Sequence, residues 1–529
     1  MKKRISLMLC AAMLAGCSNT IAEVTPDTHP VPETAPSQAA EFTVPTYASR
    51  FDSITEIALS DSGIAVNGAE ETDAVFTSRD IIYYEDREFY DSGNPYGEGT
   101  ESDRHSGEEA AAHTVVNITA PGAYRITGSL SAGQIRVDLG EDAFDDPNAV
   151  AELILSDADI TCTVAPAILF LNTYECDNQW SADTARAEVD TSAAGANLIL
   201  MGNNTVSGAY VARIFRDTDE GKKLWKQDGA IYSYMSMNVF GPGALDLEAA
   251  NEGMDTELHL TINGGDIRIR SGNDGINTNE DGVSVTTING GNVTILAGLG
   301  EEGDGVDSNG YLVINGGTVI SAAKPHADAG LDSDLGSFIH GGTVIATGST
   351  MDWAESDSRQ VTLNLQFAAQ QSAGTEIRVT TTDGREIFTF APEEEMARDF
   401  SGLILSSPAF SQGQTYHIYA NGVQLSYSGT DVGGFGPGGF GGRPGGMEPG
   451  QLPEDFDPSR MGDRERRPDR GDAAPPEGFE GAMPEGMVPP EMPQGGFGGR
   501  RQSSSQPGET RTEFYMHDMV NSFSGVAPL

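Results

Sequence analysis

The chain has 529 residues and a formal net charge of −48, from 31 Lys and Arg against 79 Asp and Glu. That balance argues against a nucleic-acid partner, because phosphate binding needs clustered Lys and Arg, and it favours cations instead. Length does not set the domain count, since a repeat architecture can use several hundred residues as one unit.

Lys2, Lys3 and Arg4 precede an apolar run over residues 5–14 that is too short to span a bilayer, then Leu14-Ala15-Gly16-Cys17. The last four resemble the cleavage box of bacterial lipoproteins. That resemblance implies a signal peptide over 1–17 and a mature chain lipidated at Cys17, anchored to the cell membrane and facing outside the cytoplasm. An ordinary cleaved signal peptide is the alternative. Residues 18–45, rich in Thr, Pro, Glu and Ala, read as a solvated tether, with ordered structure starting near Ile54.

Residues 46–355 read as a solenoid, interrupted by an acidic insertion or long loop over about 77–112. Short strands follow at 115–118, 124–126, 135–137, 153–155, 168–171 and 198–200. Then one phrase recurs: Ile262-Asn263-Gly264-Gly265, Ile288-Asn289-Gly290-Gly291, Ile314-Asn315-Gly316-Gly317 and Ile339-His340-Gly341-Gly342, at intervals of 26, 26 and 25 residues. A period of that size marks a solenoid whose repeat is strand, tight Gly turn, strand. Aligning the copies stacks Ile267, Val293, Val319 and Val344, then Ile269, Ile295, Ser321 and Ala346, as interior columns, with Asn263, Asn289 and Asn315 as an amide ladder.

Beyond Trp353 the repeat stops. Residues 356–428 read as an antiparallel β cap that covers the open solenoid edge, 429–511 as a Gly/Pro/Met-rich disordered loop, and 512–529 as a terminal strand returning to the cap. Cys162 and Cys176 either form a disulfide or remain buried thiols.

A second repeated phrase carries the chemistry. Glu252-Gly253-Met254-Asp255-Thr256-Glu257 is followed by Asp274-Gly275-Ile276-Asn277-Thr278-Asn279, Asp304-Gly305-Val306-Asp307-Ser308-Asn309 and Ala329-Gly330-Leu331-Asp332-Ser333-Asp334. Stacked, these give columns of Glu252, Asp274, Asp304; of Asp255, Asn277, Asp307, Asp332; and of Glu257, Asn279, Asn309, Asp334. Two carboxylates about 5 Å apart repel by roughly 3 kcal/mol at an effective dielectric near 20, so such columns need a counter-ion or raised pKa values. Calcium suits them because it accepts six to eight oxygen ligands in flexible geometry. Solvated Asx turns are the alternative.

In combination, the alternating Asp-Gly and Ile-Asn-Gly-Gly phrases resemble those of the bacterial carbohydrate-binding domain proteins. The resemblance spans about residues 115–425 and includes Gly122, Tyr124, Gly128 and Ser406-Ser407-Pro408. It implies an all-β, right-handed parallel β-helix similar to pectate lyases, bound calcium, and binding of acidic polysaccharides such as polygalacturonate. Ala329 replaces an acid of the pattern, and Gly300-Glu301-Glu302-Gly303 is inserted.

A lyase on this fold would need a base beside calcium, for which Arg268, Arg270, Lys324 and His326 are candidates. Arg268 and Arg270 alternate with inward Ile residues and so face outward, which favours binding without catalysis. For sugar contact the candidates are Lys222, Lys223 and Lys226, with Arg268 and Arg270, and the rings of Trp225, Trp180, Tyr232, Tyr234 and Trp353. The expected protein is a monomeric, surface-anchored binder of acidic polysaccharide. A lyase on the same fold, or a scaffold or adhesin presenting the low-complexity loop to a protein partner, remain as alternatives.

Overall fold

Each repeat folds as three strands rather than two, because the Asp-Gly phrase itself is extended. The computed structural model describes residues 42–529 except 86–102, 178–183, 219–220, 301, 327, 350–351 and 431–509. Cys17, Trp180, most of the tether, the middle of the acidic insertion and nearly all of the low-complexity stretch therefore lie outside the described residues.

The described chain is all-β apart from short helical turns. Three ladders of parallel strands run through it. The first stacks Thr114–Ile118, Gly133–Asp138, Ile168–Asn172, Gly229–Ser233, Glu252–Thr256, Ile276–Thr278 and Val306–Ser308 in that order. The second is built from the strands before the Gly-Gly turn: Ala196–Met201, Met237–Phe240, Leu260–Ile262, Val285–Ile288, Tyr311–Ile314 and Gly336–Ile339. The third follows the turn, with Asn203–Gly208, Ala244–Ala249, Asp266–Ser271, Asn292–Leu296, Thr318–Ala322 and Thr343–Gly348.

Registration is set by the turn and by like-on-like stacking. Gly291 takes φ +85°, and a Cβ there would lie 2.6 Å from the Gly265 carbonyl oxygen of the preceding repeat, so only glycine lets the repeats approach this closely. Ile267, Val293, Val319 and Val344 pair in register and are buried. Beside them the amide ladder is formed: Asn289 Nδ2 donates to Asn263 Oδ1 at 2.8 Å, and Asn315 Nδ2 to Asn289 Oδ1 at 2.9 Å. This satisfies buried amides at the turn without water.

At the start, Ile54–Ser60 lies parallel to Gly122–Leu130. The segment read as a long acidic loop holds a helical turn, Gly107–Ala112, because Ser106 and Glu109 form a reciprocal capping box. At the far end, Phe400–Ser406 pairs antiparallel with both Thr343–Gly348 and Thr362–Gln371, which gives the last strand of the third ladder a partner. Val520–Pro528 pairs with Thr362–Gln371, and Phe514–Tyr515 with Thr415–Ala420. Phe514, Phe523 and Tyr427 pack with centroids 4.8–4.9 Å apart in a second apolar core, separate from the one lined by the ladders.

The disulfide alternative is not realised: Cys162 and Cys176 are free thiols. Cys162 is buried in the ladder core, and that burial pushes its thiol up to about 11. Cys176 is instead held beside Glu175 and Ser236, and burial with the Glu175 charge raises its thiol as well.

Candidate metal and ligand site

Alternation along the first ladder decides which side chains meet. Met254, Ile276 and Val306 point into the apolar core, which places Tyr232, Asp255, Asn277 and Asp307 in one register column on the opposite side. Glycine before each apolar residue allows this stacking; a Cβ on Gly275 would meet the Gly305 carbonyl oxygen at 2.6 Å.

At the upper end of the column, Asp228, Glu252 and Asp255 converge, each offering a carboxylate oxygen within 4.8 Å of the others. Glu252 and Asp255 are 5 % and 0 % exposed. Asn277 Nδ2 donates to Glu252 Oε1 at 3.1 Å and Asn279 Nδ2 to Asp255 Oδ1. With the carboxyls ionised, three buried oxygens in this group have no donor, Glu252 Oε2, Asp255 Oδ2 and Asn277 Oδ1; a proton on Asp255 lets it donate to Glu252. Each orphaned buried acceptor costs about 1–3 kcal/mol, so the cluster is poorly satisfied by protein groups alone. Burial raises Glu252 to about 7, with the Asp228 charge adding to the shift and Lys226 opposing it. Burial first and Glu252 second lift Asp255 well above the carboxylate range. A donor set made only of oxygens, three of them unpaired, fits a hard divalent cation.

A second acidic group lies further along the column. Burial raises Asp304, and Asp332, Asp274 and Asp307 add to that shift. Asp352 rises to about 9 through burial and then through its hydrogen bond to Asp332. Here several carboxylates already serve the backbone: Asp274 Oδ1 accepts from Asp304 N–H at 2.7 Å, and Asp304 Oδ1 accepts from Ala329 N–H. Asp328 Oδ2, next to the interrupting Ala329, accepts from Gly303 N–H at 3.1 Å. Two of the three columns are interrupted by the neutral amides of Asn277 and Asn279, while Asp274 continues the first and acts on Asp304. Glu257 accepts from the Tyr232 hydroxyl, and Asn309 Nδ2 donates to the Asn279 carbonyl oxygen at 2.7 Å. Asp334 is held by its backbone N–H on Ser308 O at 3.0 Å.

A family model described as carbohydrate-binding domain-containing protein matches residues 112–384. The chain belongs to that family. Among solved structures it is similar to a polysaccharide lyase-like protein from C. thermocellum, a gadolinium derivative, at 21 % identity and a TM-score of 0.33, covering 56 % of this chain and 94 % of that one. No curated protein matches the chain.

Several residues expected to touch sugar in this carbohydrate-binding protein are engaged internally. Lys226, read as a sugar contact or solvated loop, is 5 % exposed and its Nζ donates to Asp228 Oδ2 at 2.9 Å and to Asn279 Oδ1 at 3.0 Å. The nearby carboxyl groups draw the ammonium inward against its desolvation cost. Arg268 pairs with Glu393 at 2.7 Å and Glu395 at 2.8 Å, while Arg270 reaches Glu248 at 3.0 Å and the Glu395 carbonyl oxygen at 3.0 Å. Arg268 and Arg270 are outward-facing but are covered by the turn at Glu394–Met396, a contact that no repeat period signals. Tyr232 is fully buried and Trp353 packs against the ladder core. Lys324 Nζ donates to the Gly300 carbonyl oxygen. The side chains of Lys222, Lys223 and Trp225 lie outside the described residues.

Asp228 and Asp352 were missed by sequence reading. Asp228 had a signal: Asp228-Gly229 opens an earlier copy of the Asp-Gly phrase with one extra residue, which registers Ile231 on Met254 and Gly229 on Glu252. Asp352 follows the last repeat, and only the fold brings it to Asp332.

Proposed function

We propose that this protein is a non-catalytic, calcium-dependent binder of acidic, polygalacturonate-like polysaccharide, built on a right-handed parallel β-helix and held outside the cytoplasm by a lipid on Cys17. The observation that carries the reading is the convergence of the Asp228, Glu252 and Asp255 carboxylates, with three buried oxygens on Glu252, Asp255 and Asn277 that have no donor while the carboxyls are ionised. Three parallel ladders with the strand–turn–strand repeat support the helix, and membership of the carbohydrate-binding family supports a polysaccharide ligand. Calcium would be held by Asp228, Glu252, Asp255 and Asn277, and bound there it would neutralise an acidic face that otherwise repels a polyanion. Binding rather than lysis is favoured because Arg268, Arg270 and Lys324 are all engaged by protein oxygens.

The test is retention on polygalacturonate beads. Retention should be abolished by chelator, restored by calcium and accompanied by no unsaturated-uronate absorbance. Retention that ignores chelator removes the calcium step, and rising absorbance would establish a lyase.

A further inference from the structure

The metal cluster already contains one cation of its own. Lys226 lies one residue from the end of a hairpin whose strands, Val211–Thr218 and Gly221–Gln227, pair among the described residues only with each other and form a two-stranded sheet apart from the ladders. A free two-stranded ribbon is marginal in water, so contacts at its base help hold it to the body of the protein. Those contacts include Lys226 Nζ on Asp228 Oδ2 and Asn279 Oδ1, and the Tyr234 hydroxyl on the Lys226 carbonyl oxygen at 2.9 Å. Asp228 is therefore shared: its carboxylate is both the lysine's acceptor and one of the three that converge for a divalent ion. Asn279 is shared as well, giving its oxygen to Lys226 and its amide to Asp255.

An ammonium and a divalent ion on the two oxygens of one carboxylate repel each other, and the low dielectric of a nearly closed site sharpens that repulsion. Lys226 bonds Asp228 directly and its charge also acts on Glu252 and Asp255, so the ammonium and a divalent ion would answer the same carboxyl groups.

We propose that Lys226 is a tethered cation that competes with the divalent ion for Asp228, and that ion uptake displaces it and loosens the 211–227 hairpin. This rests on the metal reading above and adds a moving part to it. Polysaccharide binding would then be coupled to the ion through a segment that carries Lys222, Lys223 and Trp225 in its sequence.

The full chain, wild type and with Lys226→Met or Lys226→Gln, would be titrated with calcium chloride by calorimetry, and amide exchange of 211–227 followed with and without calcium. Both variants should bind calcium at least tenfold more tightly. In the wild type the hairpin amides should exchange at least fivefold faster once calcium is bound, whereas in the variants they should be fast throughout. Equal or weaker affinity in folded variants, or a wild-type hairpin indifferent to calcium, overturns the tethered cation while leaving the metal site standing. If neither wild type nor variants bind calcium, the site reading falls and this one falls with it. Should both variants fail to fold, as judged by circular dichroism, the wild-type exchange result alone decides.

Discussion

Replacing Asp255 by Asn should make the calcium-free protein more stable and abolish its response to calcium. Asp255 is fully buried, with Oδ1 bonded to Asn279 and Oδ2 unpaired near Glu252. Two ionised carboxylates within 4.8 Å repel by about 3 kcal/mol at an effective dielectric of 20. Burial and that repulsion keep a proton on Asp255 at pH 7 that the unfolded chain releases, and holding it costs stability that an Asn at this position does not. An Asn amide at this position keeps the acceptor for Asn279 and turns a donor toward the unpaired Glu252 Oε2. Urea unfolding in chelator at pH 7 should therefore show Asp255→Asn at least about 1 kcal/mol above wild type. At a calcium concentration a hundredfold over the dissociation constant, wild type should gain about 2.7 kcal/mol and the variant little. A variant that is less stable in chelator and still gains the full calcium increment would refute the metal site and the charge argument together.

The same site sets a pH dependence. Glu252 rises from 4.5 to about 7 on folding, so between those values the native state holds a proton that the unfolded chain has lost, and stability falls as pH rises through that window. In chelator, wild type should lose up to about 3 kcal/mol relative to Glu252→Gln between pH 4.5 and pH 7.5; parallel curves for the two proteins would contradict it. Asn289→Ala removes the middle of the amide ladder and strands Asn263 Oδ1 and Asn315 Nδ2, a loss of about 2–3 kcal/mol in urea unfolding. Gly291→Ala combines a positive φ with a Cβ 2.6 Å from a carbonyl oxygen, and should lower stability by about 2–4 kcal/mol, whereas Gly384→Ala, with positive φ but open space around it, should cost only about 1–2 kcal/mol.

Repetition made much of the fold legible. Stacked copies present identical neighbours to one another, so Ile267, Val293, Val319 and Val344 share a column for the same reason that Asn263, Asn289 and Asn315 hydrogen-bond in series. The columns through Asp255, Asn277 and Asp307 follow from the same period. Where the period is broken, the reading weakened: the extra residue between Gly229 and Ile231 hid Asp228, and the end of the repeats hid Asp352.

What the sequence alone determined is therefore whatever depends on local conformation multiplied by a period: the strands, the positive-φ Gly turn, the apolar columns and the acidic ones. What only tertiary structure decided is which charges are answered from elsewhere in the chain. Lys226 reaches Asn279 across 53 positions, and Glu393 and Glu395 reach Arg268 across 125 and 127. No periodic signal encodes such contacts, because a long charged side chain takes its partner from whichever segment the completed fold carries past it, and the carboxylates left unanswered are known only once those partners are in place.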